Sequence, residues 1–290
     1  MAVKDVIRIQ DAYYILAPAA QPDNFRLVLK QGDSFAVFDR VGDLHTAAQL
    51  GLFHGDTRFL SRLELRVHGQ RPLLLSSSVN EDNVLLTADL TNPDLPGPDQ
   101  TVQPRDVVHI LRSVFLGDAA CYLVLHIRNY GGPMLLPLHL RFAADFADIF
   151  EIRGTQRAAP GELAAPEVDG DRVRLAYLGR DGRRRRTTLR FEPAPDELAG
   201  DGAAYQLQLA PGAELTIRCT ITCDLDGQER RHLSTEAAWD HVCREAAAEA
   251  AQWCQVWTDN AQFNEWVGRS LSDLRMMVTR TPSGSYPYAG

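Results

Sequence analysis

The stretch GLFHGDTRFLSRLEL, residues 51 to 65, crowds His54, Asp56, Arg58, Ser61, Arg62 and Glu64 among bulky apolar side chains. A serine, a histidine and an aspartate so close invite comparison with a nucleophilic triad. That chemistry needs the serine exposed on a sharp turn, with base and orienting carboxylate converging on it. Ser61 falls instead within an alternating run: Phe59, Ser61, Leu63 and Leu65 share one face, and Arg58, Leu60, Arg62 and Glu64 the other. Nucleophilic catalysis is set aside. Two uses remain for an Asp-Thr-Arg triplet where a loop enters a strand. It forms an Asx turn whose arginine pairs with a neighbouring carboxylate, or Asp56 and Arg58 line a cleft for a polar ligand.

DFADIFEIRG, residues 145 to 154, spaces Asp145, Asp148 and Glu151 by three. Such carboxylates can bind a hard cation or serve as acid and base, but EF-hand spacing is absent and no glycine opens the loop. The segment reads as a surface turn anchored by Phe146, Ile149, Phe150 and Ile152, or as a polar loop presented to something outside. LGRDGRRRRTTLRF, residues 178 to 191, carries Arg180, Arg183, Arg184, Arg185, Arg186 and Arg190. A nucleic-acid surface wants aromatics interleaved for stacking, and none occurs before Phe191. A solvated hairpin tip paired with nearby acids is expected, and no nucleic-acid partner. The five cysteines, Cys121, Cys219, Cys223, Cys243 and Cys254, form no CxxC pair and have no neighbouring histidine at zinc spacing. Free buried thiols, no metal and no cofactor are expected.

The elements that must position these residues are mostly strands. From about residue 7 to 223, short runs such as RLVLK, SFAVFDR, VVHILRSVFL, CYLVLHIRN and ELTIRCTIT alternate apolar and polar. Turn chemistry separates them, as at Gln31-Gly32-Asp33, Tyr130-Gly131-Gly132-Pro133 and Asp181-Gly182, where glycine supplies the positive φ of tight hairpins. The fold class is mainly β, a large antiparallel β-sandwich of two packed sheets followed by two C-terminal α-helices. The sandwich is expected over 1–226, a linker helix over 227–260 and a further helix and loop over 261–290. The linker helix starts at Ser234 and runs to about Trp257 with an apolar stripe through Trp239, Val242, Cys243 and Trp253. The last, capped by Asn260, carries Phe263, Trp266, Val267, Leu271, Leu274 and Val278 and ends near Thr281. Its apolar stripe needs a partner surface, and self-association through these helices is one expectation.

A formal net charge of -8 over 290 residues, 45% hydrophobic and 23% charged, suits a globular protein with a neutral or sugar-like partner. No run is long and apolar enough to span a bilayer, and the start MAVKDVIRIQ lacks the order of an export signal. The expectation is a cytoplasmic protein without a membrane partner. Sugar-binding sandwiches offer exposed aromatics; Phe59, Phe115 and Phe142 fall at inward positions, and only Tyr13, Tyr14, Tyr286 and Tyr288 are expected at the surface.

LKQGDSFAVFDRVGDL, GLFHGDTRFLSRLEL, PLLLSSSVNEDNVLLTADLTNPDL, VVHILRSVFL, LHIRNYG, DFADIFEIRG and FNEWVGRSLSDLRMMVTRTPSGSYPYAG together resemble the N-terminal region of bacterial glycogen debranching enzyme-like proteins of the amylo-α-1,6-glucosidase kind. The resemblance runs from about residue 26 to the end. It implies a β-sandwich, a linking helix and then an (α/α)6 barrel that carries the glycosidase chemistry. In relatives the YPYAG segment leads into that barrel, so the chain is expected to stop before the acidic residues and to be inactive alone. The resemblance also implies that Asp56, Arg58, Asp148, Glu151 and Arg153 face the barrel's cleft or buttress the interface; Tyr286 and Tyr288 are further candidates for the substrate cleft or interface. Its implied partners are the protein's own barrel and a glycogen-like α-glucan.

Overall fold

Strand Val108–Gly117 shows how the alternation becomes structure: Val108, Ile110, Arg112 and Val114 are buried, while His109, Leu111 and Ser113 between them are half-buried on the other face. The computed structural model describes residues 25–46, 49–96, 102–156, 159–227, 233–254, 256–279 and 284–287, and the backbone alone of 6–9, 12–15, 280 and 281. The described residues are 51% strand and 15% helix, and every strand pairing among them is antiparallel.

One sheet of 11 strands forms the first layer. From one edge it runs Val6–Ile9, Ala12–Ile15, Leu73–Val79, Leu85–Thr91, Val108–Gly117, Ala120–Asn129, Glu214–Leu225, Arg184–Glu192, Arg172–Leu178 and Glu162–Leu163, with Glu167–Asp169 also on Arg172–Leu178. Facing it are two sheets of 4 strands each, where the sequence suggested one. The first is Leu27–Gln31, Ser34–Phe38, Gly51–His54 and Thr57–Leu60; the second is Glu197–Ala199, Gly202–Leu209, Met134–Ala143 and Arg62–Val67. The split falls at Ser61, whose N–H and hydroxyl both donate to the Ala143 carbonyl, at 2.8 and 3.1 Å. Ser61 is thus the joint between two strands rather than the middle of one. All three sheets contribute to one continuous apolar core, including Phe38, Leu63, Ile110, Leu136, Phe142 and Phe191, and its burial is the main force holding the layers together.

Helix Thr235–Ala250 is capped by Ser234, whose side chain accepts from Ala237 N–H. It covers one end of the large sheet's outer face, where Ala238 and Val242 meet Phe115, Ala120 and Tyr122. Phe115 stacks on Tyr122 at 4.8 Å and meets the Trp239 ring edge-on at 5.2 Å. The helix stops at Ala250, short of Trp257: Gln252 and Trp253 donate to Glu249 and Ala250, a three-residue spacing that closes the last turn. Trp253 and Trp257 are therefore outside the stripe and exposed.

Helix Ala261–Met277 begins at Asn260 as the sequence indicated, but it docks by its polar side. Arg269 donates to the carbonyls of Val79 and Asn80, Asp273 accepts from Asn83, and Ser272 is its only buried residue. Phe263, Trp266, Leu274 and Met277 face outward, with Trp266 63% exposed. A hairpin, Val278–Thr281 with Gly284–Pro287, follows where a loop was expected; Lys30 Nζ holds it through the Val278 carbonyl and the Thr279 hydroxyl. Among the described residues no helix is long and apolar enough to cross a membrane.

No disulfide joins the five cysteines; Cys121, Cys219 and Cys223 are buried, but Cys243 is only half-buried and Cys254 exposed. Burial pushes the Cys121 thiol up to about 12, an unreactive, protonated state.

Candidate functional site

The two acidic stretches singled out in the sequence meet at one corner of the molecule. Gly55 and Asp56, at φ 50° and 63°, form the two-residue turn joining Gly51–His54 to Thr57–Leu60; this left-handed pair stands where an Asx turn was expected. The turn is zipped to residues 147–149 by backbone bonds: Arg58 N–H donates to the Ala147 carbonyl at 2.9 Å, and Ile149 N–H to the Asp56 carbonyl at 3.0 Å. Thr57 and Asp148 lie opposite each other in that short ladder.

The side chains complete the join. Arg58 is buried and makes a two-pronged ion pair with Asp145, its Nε 3.1 Å from Oδ1 and its Nη2 on Oδ2. Its Nη1 donates to the Leu50 carbonyl at 3.1 Å. The pairing with a neighbouring carboxylate is thus the use the fold makes of this arginine. Phe146 anchors the loop, stacked on Tyr177 at 5.4 Å and edge-on to Phe59 at 5.7 Å. Phe150, expected as a second anchor, is exposed, because the single helical turn Ile149–Ile152 lies on the surface.

Asp148 and Glu151 serve that turn. Asp148 Oδ1 accepts from Phe150 N–H and Glu151 Oε2 from Asp148 N–H, both at 2.8 Å, a reciprocal capping box. Arg153 is its exposed C-cap. Tyr286 is exposed on the C-terminal hairpin, while Tyr288 and the side chains of Tyr13 and Tyr14 lie outside the described residues.

Around this corner opens a cleft of about 320 Å³ lined by Thr57, Phe146, Asp148, Tyr177, Asp181 and Arg185 among others. Here the arginine-rich hairpin enters. Its arginines pair with acids as expected: Arg183 with Asp226, Arg186 with Asp224 and Arg190 with Asp171. Arg185 pairs with Asp181 and also reaches the Thr57 hydroxyl at 3.3 Å. The hydrogen bond from Arg185 holds the Asp181 carboxyl down to about 2. The cleft offers hydroxyl, carboxylate and guanidinium groups on a rigid frame, which suits the binding of a polar loop or a hydroxylated ligand. Its two lining carboxylates, Asp148 and Asp181, both accept hydrogen bonds from within the domain.

A second polar cluster escaped the sequence reading because the arginines that complete it, Arg71 and Arg112, lie far along the chain from its acids. Asp39, Asp43 and His45 bring ligand atoms within 4.8 Å of one another. An arginine fills the position a metal would take: Arg71 Nη2 is 2.6 Å from Asp39 and 2.8 Å from Asp43. Behind it Arg112 Nη1 lies 2.6 Å from Asp43, and both residues are 0% exposed. Gly42, at φ 80°, lets the loop pass over Arg112; a Cβ there would sit 3.2 Å from its Cδ.

His45 closes the cluster at the surface, 2.7 Å from Asp39 and 3.3 Å from Glu64. The Asp39 bond raises His45 above its ordinary 6.5. For Asp39, burial alone would raise the carboxyl, but the His45 bond and the Arg71 charge outweigh it and hold it at about 2. The linkage has two signs. Stability from Asp39 is present above its unfolded value of 3.8 and is lost as pH falls toward 2. Stability from His45 is present below 6.5 and is lost as pH rises through its elevated folded value. The melting temperature should therefore decline as pH rises from about 6.5 through the elevated folded value of His45. His45→Gln should remove that decline, and an unchanged slope in differential scanning fluorimetry would refute the assignment.

Residues 29–220 match the model of the N-terminal domain of (some) glycogen debranching enzymes. No curated protein matches the sequence. Among solved structures, a provisionally named kojibiose phosphorylase from the human microbiome aligns at TM-score 0.46 and 10% identity over 85% of this chain. The chain spans 35% of that protein's length. A provisionally named aldose 1-epimerase from Escherichia coli K12 aligns at TM-score 0.36 and 10% identity, over 69% of this chain and 99% of its own. The family match covers well over half of the chain and includes both stretches that build the corner cleft: the chain belongs to the N-terminal domain family of glycogen debranching enzymes.

Proposed function

We propose that this chain is the non-catalytic β-sandwich of an amylo-α-1,6-glucosidase-like glycoside hydrolase, a cytoplasmic enzyme of α-glucan metabolism, and that its role is to seat and shape a helical catalytic domain. The observation that carries this reading is the inverted helix Ala261–Met277. Its polar face meets the sandwich through Arg269 and Asp273, and its apolar face, Phe263, Trp266, Leu274 and Met277, points away. Patches of that kind on a soluble protein mark a docking surface. Its occupant in this reading is the helical domain that follows in a debranching enzyme. The corner loops fit the same role, since Asp145, Asp148 and Glu151 are each engaged within the domain.

Two measurements test it. The purified chain should release no glucose from a branched dextrin; release that disappears in Asp148→Asn or Glu151→Gln overturns the non-catalytic reading. Mixed with a separately produced helical domain of a debranching enzyme, the chain should form a one-to-one complex. Trp266→Glu should weaken that complex by roughly thirtyfold in Kd, as expected for an interface aromatic worth about 2 kcal/mol. A stable homodimer through the same face, with no complex, would assign the surface to a second copy instead.

A further inference from the structure

We propose that the opposite end of the large sheet carries a carbohydrate-binding subsite, centred on Tyr130, that takes a neutral pyranose unit. The cleft there has a volume of about 460 Å³ and is lined by Leu75, Thr91, Asp106, His109 and Tyr130. Strand Glu214–Leu225 starts beside Arg128 and ends beside Arg185. At ~3.3 Å per residue the Tyr130 cleft and the corner cleft are therefore about 35 Å apart.

Its walls combine the two surfaces a sugar ring presents, apolar C–H faces and a hydroxylated rim. The apolar side is Tyr130, 64% exposed, with Leu75. Leu75 reaches the surface because strand Leu73–Val79 slips register between Leu74 and Ser76, a bulge that turns an extra side chain outward. The Arg128 guanidinium lies 4.9 Å from the centre of the Tyr130 ring and holds that ring by a cation–π contact. The polar side is the His109–Asp89 pair, 2.9 Å apart and partly exposed, together with Asp106 of the lining. Carboxylates on this rim disfavour phosphate and nucleic acid, whose charge they would repel. They suit vicinal hydroxyls, which donate and accept at once.

The frame is rigid, as a binding site requires. Asn92, fully buried, accepts from the N–H groups of Val107 and Val108 and donates to the carbonyls of Pro93 and Pro104, at 2.8 to 3.1 Å. That fixes the loop bearing Asp106. Asn129, equally buried, accepts from Gly131 N–H and donates to the carbonyls of Gly132 and Ala210. That fixes the turn bearing Tyr130, whose own N–H donates to the Val107 carbonyl at 2.7 Å and ties the two loops together. Two buried amides with their hydrogen bonds made, one in each loop of the cleft, hold a surface in one shape for a partner.

The choice of an α-glucan as the sugar rests on the family reading; the subsite does not. The test is a titration of the 15N-labelled chain with maltoheptaose and, in parallel, cellohexaose. Saturable shifts around Tyr130, His109 and Leu75 are expected, with a Kd on the order of 1 mM. Tyr130→Ala should raise that Kd tenfold or more, while Tyr130→Phe, which keeps the ring, should stay within about twofold. Tyr130-dependent binding of cellohexaose alone keeps the subsite and overturns the glucan assignment. No saturable shift with either sugar, or binding that Tyr130→Ala leaves intact, overturns the subsite.

Discussion

Asp43→Ala should cost about 3–5 kcal/mol of folding free energy, the range for removing one partner from a buried ion pair. Asp43 has no solvent exposure and faces two guanidinium groups, Arg71 at 2.8 Å and Arg112 at 2.6 Å. It also accepts from Leu65 N–H at 3.0 Å. Arg112 is the more exacting neighbour, because its Nε and Nη2 already have no hydrogen-bond partner. Without Asp43 it would be a buried cation left, among the described residues, with the Val41 carbonyl as its hydrogen-bond acceptor. The urea midpoint of the alanine variant reads the loss. Pairing Asp43→Leu with Arg112→Met should recover most of it, since an apolar pair of similar volume avoids desolvating charge. A loss below about 1 kcal/mol for Asp43→Ala alone would show that the cluster does not anchor the fold.

Phe146→Ala should cost a comparable amount, about 3–5 kcal/mol by cavity formation. The ring is 1% exposed and wedged between Tyr177 and Phe59. Its loss should also free residues 145–154, so cleavage by a nonspecific protease at low concentration should rise there first. Phe150, four positions on and 62% exposed, supplies the control. Phe150→Ala should change stability by less than about 0.5 kcal/mol. Equal effects of the two would mean that the loop is not held by Phe146.

The pair also shows what the sequence made legible. Phe146 and Phe150 sit in one short segment with similar neighbours, and nothing in their spacing tells which is anchored. The difference arises from the capping box that lifts Ile149–Ile152 onto the surface. Strands fared better, because alternation is a local signal that burial enforces residue by residue. Even Arg112 was readable in principle: it occupies the inward position between Ile110 and Val114, and a lone arginine in an inward register implies a buried acid. Which acid was not readable, since Asp43 lies 69 positions away.

The same limit governs both clefts. That Asp56 and Asp148 meet depends on a backbone ladder between segments some 90 residues apart. Tyr130 reads as a turn residue next to two glycines and becomes an exposed wall only through Asn129 and the bulge at Leu75. Among the described residues it is an exposed tyrosine that the sequence reading left out. For the helical tail, periodicity set Phe263, Trp266 and Leu274 on one side of Ala261–Met277, but Val267 and Leu271 are half-buried, Val278 falls in the next strand, and the direction the stripe would face was not readable. That outcome was decided by Arg269 and Asp273 finding polar partners at the sheet's end.

The place of strand Glu214–Leu225 also constrains how the protein is made. It is inserted between Ala120–Asn129 and Arg184–Glu192, both of which precede it in the chain. Until that strand is made, Ala120–Asn129 and Arg184–Glu192 lack the neighbour they share, and the edges that will face it have no partner. Unpaired edges recruit other chains. Translation stalled before residue 214 should yield nascent protein that depends on chaperones and clumps in their absence, while release after residue 225 lets one strand seal both halves at once.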